Sequence, residues 1–320
     1  MSSRRRSTRS TSRTQRTTIS TFIVFVLVLI IYLFFPDLQR NDQPRSPNTA
    51  GRTATGQRAA GRTTTGQRAA GRTTTGQRAD ANVNLALGNP SGATHDPANA
   101  DNYLIARDQY VLSYNRSGGI PNWVSWHLSR ADMGDVERSE FQPDTSLPTG
   151  WYQVKPSDYT NSGYDRGHMA PSADRTATRQ DNEALFLMTN IVPQAPDNNQ
   201  GPWVQLEDYC RDLARQGNEL YIVSGVTGTQ ATLPKGKVRV PARLWKVIVV
   251  LPEGDNDLQR INDRTTVIAV DMPNRQGIRN TDWQTYRTSV DQVEQATGYD
   301  LLSKVNPRVQ AALEASVAAP

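Results

Sequence analysis

Tyr164-Asp165-Arg166-Gly167-His168-Met169-Ala170-Pro171 sets a carboxylate, a guanidinium, a hinge glycine and an imidazole side by side. Such a segment can build a hydrolytic site, because imidazole is the side chain that exchanges a proton near neutral pH. The chain has three histidines, His95, His127 and His168. Only His168 lies in a polar cluster where a general base makes sense. His127 alternates with Trp126 and Leu128 in a strand-like run and reads as a sheet-face residue. His95 sits in a loop and is given no role.

Downstream lies a second polar cluster, from Asn190-Ile191-Val192-Pro193-Gln194 through Asn198-Asn199-Gln200-Gly201-Pro202-Trp203 to Leu206-Glu207. Asn199, Trp203 and Glu207 recur at i, i+4 and i+8, which predicts one helical stripe drifting by about 40° per step. Asn199 and Glu207 then face the same site. At a separation of ~12 Å along an ideal helix they cannot both bind one ion directly, but Glu207 can hold a metal-bound water.

Around these clusters, runs rich in β-branched and aromatic residues predict strands at 109–115, 122–128, 219–226, 244–251 and 265–271. Apolar spacing nearer 3.6 predicts helices at 200–216, 283–297 and 307–316. No regular βαβ alternation is present. The predicted fold class is therefore α+β, a mixed, mainly antiparallel sheet with helices packed on it. The spacing of Trp123 and Trp126 puts them on opposite faces of a regular strand.

The chain resembles the DNA/RNA non-specific endonucleases of the ββα-metal, or His-Me finger, superfamily. The resemblance covers roughly residues 82–316. It rests on Asn84-Leu85-Ala86-Leu87-Gly88-Asn89-Pro90-Ser91, Pro121-Asn122-Trp123-Val124-Ser125-Trp126, the Asp-Arg-Gly-His segment, the cluster from Asn190 to Glu207, and Thr297-Gly298-Tyr299-Asp300. Either central motif alone is weak evidence; the pair in this order is specific.

The resemblance implies a ββα-metal finger with His168 as general base. It implies Asn199 as the side-chain ligand of a single Mg²⁺, with Mn²⁺ as the alternative, and Glu207 as a carboxylate orienting the waters of that ion. Arg138, in Glu137-Arg138-Ser139-Glu140-Phe141, resembles the family arginine that contacts the phosphate, and Arg166 and Asn190 match positions close to the site. Asp165 is expected to orient loop and backbone. Elementary chemistry agrees, because Mg²⁺ keeps several waters and tolerates a sparse protein shell. The resemblance further implies 5′-phosphate and 3′-hydroxyl ends. Nothing in the scheme reads a base, so DNA and RNA are both expected substrates. Bland alternatives stand beside each role: a structural histidine, an Asn N-cap, a solvated helix face for Glu207 and a surface charge for Arg138.

The pI of 9.4 suggests a polyanion-binding surface until the charge is located. Residues 1–80 hold 14 of the 36 basic and 3 of the 31 acidic residues, net +11, which leaves residues 81–320 at −6. Any nucleic-acid footprint of that part must be a local groove. The expected organisation is a basic cytoplasmic N-terminus at 1–18, a transmembrane signal anchor at 19–35, a flexible linker at 36–80 and the endonuclease domain at 81–320. Arg4, Arg5, Arg6, Arg9, Arg13 and Arg16 precede an apolar run from Ile19 to Phe35. That run spans about 25 Å as a helix, at the short end for a bilayer. A cleaved signal peptide is the alternative, but the exit Phe34-Phe35-Pro36-Asp37-Leu38 has no Ala-x-Ala site, which favours an uncleaved anchor. The positive-inside rule puts the arginines in the cytoplasm and the bulk of the chain outside.

Gly51-Arg52-Thr53-Ala54-Thr55-Gly56-Gln57-Arg58-Ala59-Ala60 and two near-copies ending at Asp80 follow the anchor. They carry too little apolar bulk for a solenoid and read as part of a flexible spacer; a random coil of ~45 residues, the length of the linker, reaches roughly 35–40 Å, with collection of polyanions as a sharper alternative. The single cysteine, Cys210, excludes an intrachain disulfide and reads as a buried structural thiol.

The leading expectation is a membrane-anchored, extracytoplasmic, Mg²⁺-dependent nuclease whose partners are DNA, RNA and the membrane. A cytoplasmic nuclease of this type needs a protein inhibitor, and export removes that need. The competing class is a catalytically weak or inactive surface module that binds nucleic acid, or a phosphodiesterase for smaller substrates. Retention of both His168 and Asn199 argues against a dead domain. Oligomeric state has no signature in the sequence.

Overall fold

The β-branched runs pair into one antiparallel sheet. In the computed structural model, which describes residues 82–317, the chain forms β1 (Tyr103–Ala106), β2 (Val111–Asn115), β3 (Ile120–Leu128), β4 (Asp165–His168), β5 (Ile191–Gln194), β6 (Asn218–Thr227), β7 (Ala231–Thr232), β8 (Arg239–Val240), β9 (Arg243–Pro252), β10 (Thr266–Pro273) and β11 (Arg287–Thr288). Seven of them make the sheet, in the order β1-β2-β3-β6-β9-β10-β11. Each neighbouring pair is antiparallel. The expected N-terminus 1–18, span 19–35 and linker 36–80 lie outside the described residues. Among the described residues no helix is long and apolar enough to cross a membrane.

Period-2 alternation gives the sheet two apolar faces. Val124, Trp126, Leu128, Ile222, Ile248 and Val270 face one side, and Trp123, Tyr221, Val223, Val247 and Val249 face the other. Trp123 and Trp126 thus fall on opposite faces as expected, and both are buried.

The second face is covered by the two ends of the described chain. Val290 and Val293 from α3 (Val290–Thr297) and Leu313 from α4 (Pro307–Glu314) pack there beside Leu85 and Leu87. The Asp300 amide donates to the Pro90 carbonyl at 3.0 Å, and that of Lys304 to Leu87 at 3.1 Å. The motifs at 84–91 and 297–300 therefore form a clasp on the far side of the sheet. The helix expected over 283–297 is interrupted: Trp283–Tyr286 is a 3-10 turn, β11 follows, and α3 starts only after Ser289, whose side chain caps the Gln292 amide.

The first face carries the finger. β4 and β5 pair as a small antiparallel ribbon, with His168 opposite Ile191. Between them runs α1 (Arg179–Leu185), capped by the Thr178 hydroxyl. After β5 the chain turns into α2 (Val204–Arg215), whose inner residues Leu206, Cys210 and Ala214 are buried. Burial pushes the Cys210 thiol up to about 12, so it remains a packed, unreactive thiol.

Candidate active site

The finger brings residues from three segments to one polar cavity of about 330 Å³. Arg138, Arg166, His168, Asn199, Glu207 and Arg211 line it, with Gln200 and the 171–173 loop. Gly167 allows the ribbon to close. A Cβ there would lie 2.0 Å from Gln194 Oε1 and 2.6 Å from Gln194 Cβ. Glycine stands between Arg166 and His168 because the neighbouring strand's side chain occupies that space, and not as a hinge. Gln194 in turn donates to Asn198 Oδ1 at 2.5 Å, tying the ribbon to the turn before Asn199.

His168 sits in an aromatic cage. Its ring centroid lies 5.2 Å from Phe141 and 4.8 Å from Phe186, edge to face with the latter. Burial, reinforced by the positive field of Arg138, pushes the imidazole down to about 3. The ring is therefore neutral near pH 7, the form that accepts a proton. The cage is braced by backbone bonds from Gln142 to the Phe186 carbonyl and from Met188 to the Gln142 carbonyl, at 3.0 and 2.9 Å. Arg138 lies over the Phe186 ring and Arg166 over the Phe141 ring, each at 5.3 Å. Arg166 also donates to the Pro156 carbonyl at 3.1 Å.

Asn199 begins a wide turn, Asn199–Trp203, broken at Gly201 (φ −121°, ψ −116°) before α2. The regular helix expected from residue 200 thus starts at Val204 instead. Asn199 and Glu207 still reach the same cavity, while Trp203 turns beneath it and is buried. The stripe drawn on an ideal helix was wrong for Trp203 because Pro202 and Gly201 rotate the turn out of register.

Asn199 Nδ2 donates to Asp165 Oδ2 at 2.9 Å, and the Gln200 amide donates to the same oxygen at 2.8 Å. Asp165 thus fixes the Asn199 amide, whose Oδ1 accepts no hydrogen bond among the described residues. An amide oxygen free to the cavity, with a carboxylate nearby, is the hard oxygen set that suits Mg²⁺ or Mn²⁺. Glu207 is pushed up to about 6 by burial, against the fields of Lys246 and Arg211.

The turn is packed tightly. A Cβ on Gly201 would lie 2.6 Å from the Arg279 carbonyl oxygen and 2.7 Å from Arg279 Cα. Since both are backbone atoms, Gly201→Ala is expected to destabilise the fold by about 1–3 kcal/mol, read as a lower urea midpoint at unchanged slope. An unchanged midpoint would show that the 279 loop gives way freely.

Asn190 does not line the cavity. It is fully buried and holds the segment after His168: its Oδ1 accepts the Ala170 amide at 3.0 Å and its Nδ2 donates to the Ala170 and Leu185 carbonyls at 2.9 Å. It braces the segment that follows the histidine's strand. Sequence reading missed Arg211, which lines the cavity and pairs with buried Asp174 at 2.9 Å. The signal available was its place one helical turn after Glu207. The Phe141 and Phe186 cage was missed as well, because isolated aromatics in loops carry no periodic signature.

Known proteins are similar to this chain in sequence and in fold. Residues 87–308 match the family described as DNA/RNA non-specific endonuclease. The chain is similar to a nuclease of Nostoc sp. (strain PCC 7120 / SAG 25.82 / UTEX 2576), 53% identical over 236 residues, 73% of this chain and 86% of the relative. Nuclease C1 of Cunninghamella echinulata var. echinulata is 31% identical over 229 residues, 66% of this chain and 86% of the relative. Among solved structures, the crystal structure of an EndoG/EndoGI complex superposes with a TM-score of 0.58 at 25% identity, covering 70% of this chain and 91% of that one. With the cavity, the finger and the length of the match in agreement, the chain belongs to the DNA/RNA non-specific endonuclease family and is a nuclease of that kind.

Proposed function

We propose that this nuclease is divalent-metal dependent, with Mg²⁺ the expected ion, and works outside the cytoplasm on a membrane tether. The observation that carries the catalytic half is one cavity holding a neutral imidazole, an amide oxygen free of hydrogen bonds and three arginines. Asn199 would hold the ion, and Glu207 would orient its waters. When bound, such an ion offsets charge on the phosphate and on the leaving oxygen.

In this reading His168 takes a proton from water, whose oxygen bonds to phosphorus as the bond from phosphorus to the 3′ oxygen breaks; the bonding pair leaves on the 3′ oxygen, which takes a proton from solvent water to become the 3′-hydroxyl. Arg138, Arg166 and Arg211 surround the anionic phosphate, and guanidinium suits paired contacts with its oxygens. The cavity is lined mainly by charged and polar side chains suited to phosphate, which fits cleavage of DNA and RNA with little sequence preference. The tether rests on the basic residues before Ile19–Phe35 and on that apolar run itself, broken only by Ser20 and Thr21. One similar solved structure is that of an EndoG/EndoGI complex, which concerns the inhibition of EndoG. A protein inhibitor is accordingly among the partners proposed for this chain.

Sealed right-side-out membrane vesicles carrying the full chain are expected to nick added plasmid and to degrade added RNA with Mg²⁺ present. A chelator should stop both reactions, and external protease should abolish them. Cleavage that persists in chelator would overturn the metal dependence. Activity released only when the vesicles are broken would overturn the outward topology.

A further inference from the structure

β9 contains Leu244-Trp245-Lys246-Val247-Ile248-Val249-Val250-Leu251, an apolar strand with a single charge in its middle. Alternation turns Lys246 to the finger side with Leu244 and Ile248, beside Ser224 on β6 and Val270 on β10. Its side chain is 1% exposed. An ammonium there loses its hydration, a large cost unless the facing groups compensate.

The facing groups belong to other elements. Glu207 Oε1 lies 3.7 Å from Nζ, an ion pair too long for a hydrogen bond. The Trp203 ring centroid lies 4.2 Å from Nζ and that of Trp126 5.6 Å. Arg211, the other cation near Glu207, is already paired with Asp174 and Asp208. Lys246 has Glu207 as its ion-pair partner, and of the two only Glu207 lines the cavity. Packing gives no reason for this choice: methionine would fill the same space between two indoles without burying a charge.

We propose that Lys246 is a positioning residue of the nuclease site: from the strand side it holds the Glu207 carboxylate toward the cavity. Lys246 touches neither substrate nor ion. The inference rests on the reading above in which Asn199 and Glu207 serve a divalent cation.

The test is calorimetric titration of the full-length protein in detergent with Mn²⁺, beside a thermal melt. Lys246→Met is expected to weaken Mn²⁺ binding roughly 10–100-fold, the usual effect of removing a group that orients a metal's surroundings. Its melting midpoint should stay at or above that of the wild type. Lys246→Arg should recover part of the binding. In a Glu207→Gln background, Lys246→Met should weaken binding no further, since its effect runs through the carboxylate.

Wild-type binding in Lys246→Met would overturn the positioning role and leave the metal reading intact. Full additivity in the double variant would overturn it too. Absence of Mn²⁺ binding by the wild type would sink the metal reading and this inference with it. If Lys246→Met does not fold, the pair Lys246→Gln and Lys246→Arg decides by the same titration: equal binding in the two refutes the role of the charge.

Discussion

His168→Ala is expected to lower plasmid nicking by about 10²–10⁴-fold, the range a positioned general base contributes. The imidazole is the one neutral nitrogen base lining the cavity. The guanidinium groups beside it are donors with no acceptor lone pair, and Glu207 lies on a separate element, α2. The variant should still bind Mn²⁺, because Asn199, Asp165 and Glu207 are untouched. Loss of metal binding along with activity would mean that His168 acts through structure instead.

A second readout of the same variant separates chemistry from folding. His168 sits at about 3 in the folded chain, against an ordinary value of 6.5. Above pH 6.5 neither state is protonated, and the group adds no pH dependence. As pH falls from 6.5 toward 3, the unfolded chain takes up a proton that the folded chain refuses, so wild-type stability declines across that window. His168→Ala lacks this contribution and should show a shallower decline in urea midpoints between pH 6.5 and 4. Parallel declines would indicate that the histidine is open to solvent in the folded state.

The long strands were legible because β3, β6, β9 and β10 are β-branched runs buried on both faces, and local pattern and tertiary demand agree there. The finger's own strands were not. Asp165–His168 is polar with a glycine, and Ile191–Gln194 contains a proline, so neither shows strand periodicity. They pair because the sheet beneath and the Asn190 side chain hold them in register. α1 escaped notice for a related reason: two turns with Asp181 and Asn182 in them have weak helix propensity, and the Thr178 cap and the bonds of Asn182 to Ser172 and Arg175 do the work.

The site divides in the same way. Residues within a compact motif, such as Asp165, Arg166 and His168, or on one short stretch, such as Asn199 and Glu207, could be singled out from the chain. Lys246 could not, since a lysine in an apolar strand reads as an outward-facing charge until the finger is seen packed over it. Asn190 was singled out through family resemblance, and its position shows support for the backbone after His168 in place of contact with the cavity. Sequence adjacency reveals the groups that meet locally. Groups that meet across the sheet and finger require the fold.

Asn199→Ala is expected to raise the Mg²⁺ concentration needed for half-maximal nicking well beyond that of the wild type and to cut the rate at fixed Mg²⁺ by about 10²-fold or more. Two losses combine. The amide oxygen left free to the cavity is removed, and Asp165 Oδ2 keeps only the Gln200 donor of its two. Asn199→Asp separates these losses. It restores an oxygen for the ion and adds charge, but it removes the N–H to Asp165 and sets two carboxylates side by side. The aspartate should therefore regain Mn²⁺ affinity over the alanine while nicking stays below wild type, because the oxygen is no longer aimed by the 165–199 bond. Calorimetric Mn²⁺ titration of both variants reads the first effect, and plasmid nicking across a Mg²⁺ series reads the second. Unaltered Mn²⁺ affinity in Asn199→Ala would place the ion elsewhere in the cavity and reduce Asn199 to an anchor of the turn.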